Sequence, residues 1–199
     1  PDSLLYEKSQ QTIFPDTIYS VDSGGDPAEI PNLTYEAFQR FHATYYHPSN
    51  AQFFFYGDDD ASERLRILDE VLKDFAAQPA DGETGADLAG EIALQALFAQ
   101  PRQAHFTYGV DAGSDQSKKA MLLVNWGLPE ITDRSLLMAI NVLSYCLMGT
   151  QASPLRKALV DSGLGEDVIG GGFGGGLRQM TFSAGLKGIQ AEDARQVEK

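Results

Sequence analysis

The stretch Tyr45-Tyr46-His47-Pro48-Ser49-Asn50-Ala51-Gln52-Phe53-Phe54-Phe55-Tyr56-Gly57-Asp58-Asp59-Asp60 reads as a helix end, a turn, a buried strand and the start of a second helix. Pro48 stops the first helix, because its ring keeps His47 out of the helical region. Ser49 and Asn50 supply turn chemistry. The aromatic run Phe53 to Tyr56 has the composition of a central strand. Gly57 ends it, and Asp60 caps the second helix, with Glu63 at the capping-box position. By alternation, Phe53 and Phe55 share one strand face, and Gln52, Phe54 and Tyr56 the other.

The flanking helices are expected to cover the Phe53/Phe55 face. Upstream, Thr34 is an N-cap, with Leu33 and Phe38 placed for a hydrophobic staple. Ala37, Phe38, Phe41 and Tyr45 come next at helical spacing, and this helix should run to about Tyr46. Downstream, Leu65, Leu68, Leu72 and Phe75 give the stripe of a helix from Ala61 to about Ala76. Its wet side pairs Glu63 with Arg66 and Arg66 with Glu70. Before Thr34 the chain is dense in turn signals, with one candidate helix around Leu4, Leu5 and Tyr6.

Beyond Gln78 the composition shifts to Gly, Ala, Asp and Glu without an apolar period, which predicts a linker over 79–90. A short apolar element at 92–98 and strands at 104–110 and 119–126 are expected next. Asp133 caps a strong helix to Met148, closed by Gly149. Ser153 and Pro154 open a shorter one, ended by Gly163. Residues 168–169 and 180–186 predict a hairpin around a glycine-rich bend, and a last helix starts near Ala191. The element order is α+β.

A formal net charge of −13 argues against nucleic acid and suits basic peptides as partners. No apolar run approaches the ~20 residues of a membrane span. The start, Pro1-Asp2-Ser3, shows no signal peptide and no initiator Met, and reads as the start of a segment or a processed product. Cys146 is the one cysteine, which rules out a disulfide within the chain, and its apolar surroundings predict a buried thiol.

No residue set carries chemistry by itself. His42 and His47 are five apart across a helix break, unlike the H-x-x-E-H or H-E-x-x-H spacing that puts two imidazoles on one helix face. His105 is an isolated strand histidine. Asp58-Asp59-Asp60 lacks the alternating ligands of a calcium loop and reads as helix capping. The run from Gly170 to Gly176 lacks the Lys-Ser/Thr of a phosphate loop and leads into a strand, so it reads as a mobile hairpin loop. Ser153 and Ser162 have no nucleophile-elbow setting. The expectation is therefore no catalytic, cofactor-binding or metal-binding residue within the chain.

Two longer patterns are less generic. One is Asp22-Ser-Gly-Gly-Asp-Pro, then Ile30-Pro-Asn-Leu-Thr34-Tyr-Glu-Ala-Phe38, Phe41-His and the opening stretch. The other is Val124-Asn125-Trp126, Leu147-Met-Gly-Thr150-Gln-Ala-Ser-Pro-Leu-Arg-Lys157, Ser162-Gly-Leu-Gly165 and Gly185-Leu-Lys-Gly188. In this order they resemble the presequence-protease branch of the pitrilysin-type (inverzincin) zinc peptidases over nearly the whole chain. The loop at 79–90 and the glycine-rich bend match least.

The resemblance implies α+β sandwich domains in two halves around a peptide-holding chamber. It implies that 1–77 ends a first peptidase domain, 78–101 links, and 102–199 begins a second, homologous but non-catalytic domain. It further implies zinc in the full-length parent, held by residues before Pro1, with assisting residues beyond Lys199. In such a parent a zinc-bound water would attack the peptide carbonyl. The implied whole is a zinc metalloendopeptidase that degrades targeting peptides and other short unstructured peptides in the plastid stroma or mitochondrial matrix. Its partners would be the remainder of the parent and short basic peptides. This segment would then be inactive scaffold. The alternative is a non-catalytic relative acting as a structural or interaction protein.

Overall fold

A computed structural model describes residues 1–76 and 92–199 of the chain. The expected linker at 79–90 lies outside the described residues. Two compact units are present: Pro1–Ser23 with Ile92–Lys199, and Gly24–Glu91.

The first unit is built on one three-stranded antiparallel sheet. Its strands are β1 (Ala120–Glu130), β2 (Asp167–Gly174) and β3 (Gln179–Ile189), in the order β1-β3-β2. β3 pairs with both neighbours, so among the described residues it is the one strand with both edges satisfied, and it is the apolar centre. Met180, Leu186 and Ile189 are fully buried on it, and Ala184 is buried too. Helix α4 (Arg134–Met148) starts at Asp133, whose carboxylate accepts from the Ser135 and Leu136 amides, and it stops at Gly149. With α5 (Pro154–Asp161) it lies against β2. Helix α1 (Asp2–Ile13) contacts β1, and Phe14 at its end is buried. A final turn, α6 (Ala194–Val197), comes after a 3-10 turn at Ala191–Asp193.

Ser153 precedes α5 as expected, but its hydroxyl does not cap that helix. It accepts from the Thr150 amide at 3.0 Å and donates to the Tyr145 carbonyl at 3.3 Å, tying the end of α4 to the start of α5. The glycine-rich run is not the expected mobile loop. Gly170 to Gly174 are strand residues of β2, and the turn lies at 175–178. The reason is steric. Gly170 and Gly172 adopt φ of +91° and +67° at a bulge between Ile169 and Gly172, a conformation L side chains rarely take. A Cβ on Gly172 would lie 2.5 Å from the Ser144 hydroxyl oxygen, which accepts from the Phe173 amide at 2.8 Å.

Residues 104–110 form no strand, and 92–98 form no regular element. The only buried residue of 92–98 is polar, Gln95, whereas Leu94 and Leu97 are exposed. Apolar composition drives burial without fixing a backbone conformation, and a strand needs a partner's backbone, which pairs with none of these residues among those described.

The second unit contains α2 (Tyr35–Tyr45) and α3 (Ala61–Leu72). Thr34 caps α2 by accepting from the Ala37 amide, and Asp60 caps α3 by accepting from the Ser62 and Glu63 amides. Pro48 begins a 3-10 turn, Pro48–Asn50, as the break requires. The strand expected at 51–56 is absent, and this corrects the packing expectation. Phe53 is 52% exposed and Phe55 44%, while Phe54 and Tyr56 are almost bare. The segment is extended at its start, yet no neighbouring strand pairs with it among the described residues. Leu33 and Phe38 are likewise exposed, so no closed staple forms. Within 24–76 no residue is buried.

Candidate functional site

Most residues singled out from the sequence have a local structural job. His42, in the last turn of α2, stacks on Tyr46 with ring centroids 4.9 Å apart. His47 caps the 3-10 turn, its Nδ1 accepting from the Ser49 amide at 3.2 Å, and its ring meets Phe75 edge-on at 5.6 Å. The two imidazoles thus serve different neighbours. His105 is exposed in an irregular segment. Asp59 receives Arg64 Nε at 2.8 Å, and that bond holds its carboxyl below the usual carboxylate range. Asp60 caps, so this acidic run organises the start of α3. Glu63, bonded to Arg66, is likewise lowered. The Ser162 hydroxyl donates to the Leu159 carbonyl at 2.6 Å at the end of α5.

Cys146 corrects the expectation of a buried thiol: it is exposed. α4 is apolar nearly all round, and its buried residues are Ser144 and Met148, which face β2. Two residues on from Ser144, Cys146 lies about 200° round the helix. Among the described residues no three His, Cys, Asp or Glu side chains gather as a metal would need. The His42 and His47 rings are engaged with different neighbours.

Two features stand out instead. The first is the aromatic surface of the second unit. Phe41 packs on Tyr45 at 4.6 Å, and Arg64 lies 4.6 Å over the ring of Phe55, yet these rings all keep large exposed fractions. Exposed rings in this number are uncommon on the surface of a soluble domain.

The second is a polar corner of the first unit. Gln95 is 8% exposed. Its side chain accepts from the Asp16 amide at 3.0 Å and donates to the Asp16 carboxylate at 2.7 Å. Its backbone donates to Gln179 Oε1 at 2.6 Å and accepts from Gln179 Nε2 at 3.2 Å. Next to it, the Arg178 amide donates to the Tyr19 hydroxyl at 3.0 Å. The Arg178 guanidinium donates to Glu130 at 2.7 Å and to the Ile92 carbonyl. This corner was not foreseen from the sequence. The one available signal was a glutamine inside an otherwise apolar run.

The model of the Peptidase M16 inactive domain matches residues 32–199. The chain belongs to the Peptidase M16 family. This M16 chain is 44% identical over its whole length to "Presequence protease 1, chloroplastic/mitochondrial" of Arabidopsis thaliana, of which it covers 18%. It is 39% identical over its whole length to "Protein HypA" of Clostridium perfringens, covering 20% of that protein. It is 39% identical over 98% of its length to "Presequence protease, mitochondrial" of Mus musculus, covering 18% of it. The M16 chain therefore spans about a fifth of the length of these relatives. Membership agrees with the mixed architecture of helices and a small antiparallel sheet.

Proposed function

We propose that this chain is a scaffold segment of an M16 metalloendopeptidase that degrades targeting peptides and other short unstructured peptides in a closed chamber. The observation that supports this best is 44% identity along the whole chain to a presequence protease. In the proposal, 1–77 closes one peptidase domain, 78–101 links, and 102–199 opens a second, non-catalytic one. Zinc and the groups that act with it belong to the remainder of the parent. The parent's place is the plastid stroma or mitochondrial matrix, as the names of the plant and mouse relatives suggest. The charge of −13 supports basic peptides as its substrates, because long-range attraction raises their local concentration.

The chain's own contribution is positional. The sheet of the first unit supplies a rigid wall, and the exposed aromatics of the second supply surface for the rest of the parent to cover. The proposed role is tested by titrating the purified chain with zinc while assaying a basic targeting peptide. The expected result is no stoichiometric zinc and no turnover. Turnover appears once the flanking sequence is restored, and a chelator abolishes it. Tight zinc with chelator-sensitive turnover by the chain alone overturns the scaffold role. A restored parent that folds yet cleaves no peptide overturns the peptidase reading and favours a non-catalytic interaction protein.

A further inference from the structure

The polar corner joins three stretches far apart in sequence. Residues 16–19 lead out of the first unit, which the chain leaves after Ser23. Residues 92–95 bring it back, at Ile92. Both are bonded to the same two residues at the start of β3: Arg178 holds Tyr19 and Ile92, and Gln179 holds Gln95, which holds Asp16. We propose that Gln95, Gln179 and Arg178 form a clasp that pins the exit and re-entry points of the excursion Gly24–Glu91 to one corner of the sheet.

The chemistry suits a clasp better than packing. A buried amide side chain is tolerated only when its donors and acceptors are used. Gln95 meets this chiefly by pairing with the backbone and carboxylate of Asp16 in the exit segment, with a longer bond at 3.4 Å to the neighbouring Ala96 carbonyl. Its Oε1 accepts from the Asp16 amide while its Nε2 donates to the Asp16 carboxylate, so both ends of the side-chain amide are used on one residue. An apolar residue of equal size would strand the Asp16 amide, as well as the Gln95–Gln179 geometry that depends on the local course of the chain. The Arg178–Glu130 pair, with side chains 22% and 29% exposed, ties the same corner to β1. Phe14 anchors the arm independently. The clasp therefore governs local opening of the corner, and the sheet stays formed when it opens. This inference is independent of the peptidase role.

The test is amide hydrogen exchange on the full chain, read by mass spectrometry at neutral pH. Gln95→Ala should speed exchange at residues 14–20 and 92–96 about ten- to a hundredfold, the range expected from losing the two bonds to Asp16 at ordinary net strength. Exchange in β3 and α4 should not change. Gln95→Glu should do the same, because it sets a carboxylate against Asp16. Adding Asp16→Asn to Gln95→Glu should restore protection, because the pair then exchanges donor for acceptor. Unchanged exchange at 14–20 in Gln95→Ala overturns the clasp. So does loss of protection throughout β3 and α4, which would make Gln95 a core residue. Failure of the double variant to recover, with β3 intact, overturns the pairing with Asp16.

Discussion

Single residues in the sheet decide its register. A Cβ on Gly185 would lie 2.0 Å from the Leu122 carbonyl oxygen. Gly185 faces Leu123 of β1 on one side and Ile169 of β2 on the other. The obstacle is backbone, which cannot step aside without breaking the ladder. Gly185→Ala is therefore expected to cost about 3 kcal/mol, read as a lower denaturant midpoint, because overpacking at a fixed backbone finds no relief. Ser144 is the milder case. Its hydroxyl satisfies the Phe173 amide at the β2 bulge, so Ser144→Ala leaves a part-buried N–H without that partner. The expected loss is about 1–3 kcal/mol in the same measurement. An equal effect from Ser144→Ala and a surface substitution such as Glu192→Ala would sink that account.

At the scale of elements, burial separates residues that look alike in the sequence. Met180→Ala should destabilise by about 2–5 kcal/mol, since Met180 is fully buried on β3. Phe53→Ala should stay within about 0.5 kcal/mol in this chain, because Phe53 is half exposed. Chemical denaturation of both variants checks the contrast. Acid acts on another element. The carboxyls of Asp59 and Glu63 are held low by Arg64 and Arg66, so their contribution to α3 is present above the ordinary carboxylate pKa. It is lost as pH falls through the lowered values. The pairs Asp59–Arg64 and Glu63–Arg66 should therefore persist below the ordinary carboxylate range and open only at still lower pH, read from the side-chain signals of Arg64 and Arg66.

Legibility in the sequence divides along the same line. Thr34, Asp60 and Asp133 were readable as caps because capping is local: the oxygen and its amide lie two or three residues apart. The helices α2, α3 and α4 came with those caps. The hairpin β2–β3 was legible from its apolar runs, but its bulge was not, because the need for glycine at 172 comes from Ser144, distant in sequence. The strand at 51–56 failed for a related reason. Four aromatics state a demand for burial, and only a partner elsewhere can meet it. The domain-scale resemblance was legible because whole motifs, not single residues, carried it. The polar corner was illegible, since Gln95 gains its meaning only from residues 79 and 84 positions away.

For the whole molecule, the apolar exposure has a direct physical outcome. With Phe38, Phe41, Phe54 and Tyr56 all exposed, the chain in isolation is expected to self-associate, because apolar area that water contacts gains by contact with more of its kind. Sedimentation at rising concentration should show a growing average mass, and a hydrophobic dye should bind. A monomer at all concentrations with no dye signal would refute this.

The pinned corner near Arg178 carries a last consequence, in the language of cut and paste. The corner brings Tyr19 and Ile92 to one residue, and every buried residue of the described chain belongs to the sheet-bearing unit. A gene with the codons from Gly24 to Glu91 deleted, and a short glycine-serine bridge put in their place, should still encode a soluble, cooperatively melting miniature. For the folding of its host the deleted stretch would then be a removable cassette, even though the proposed parent uses its exposed aromatics.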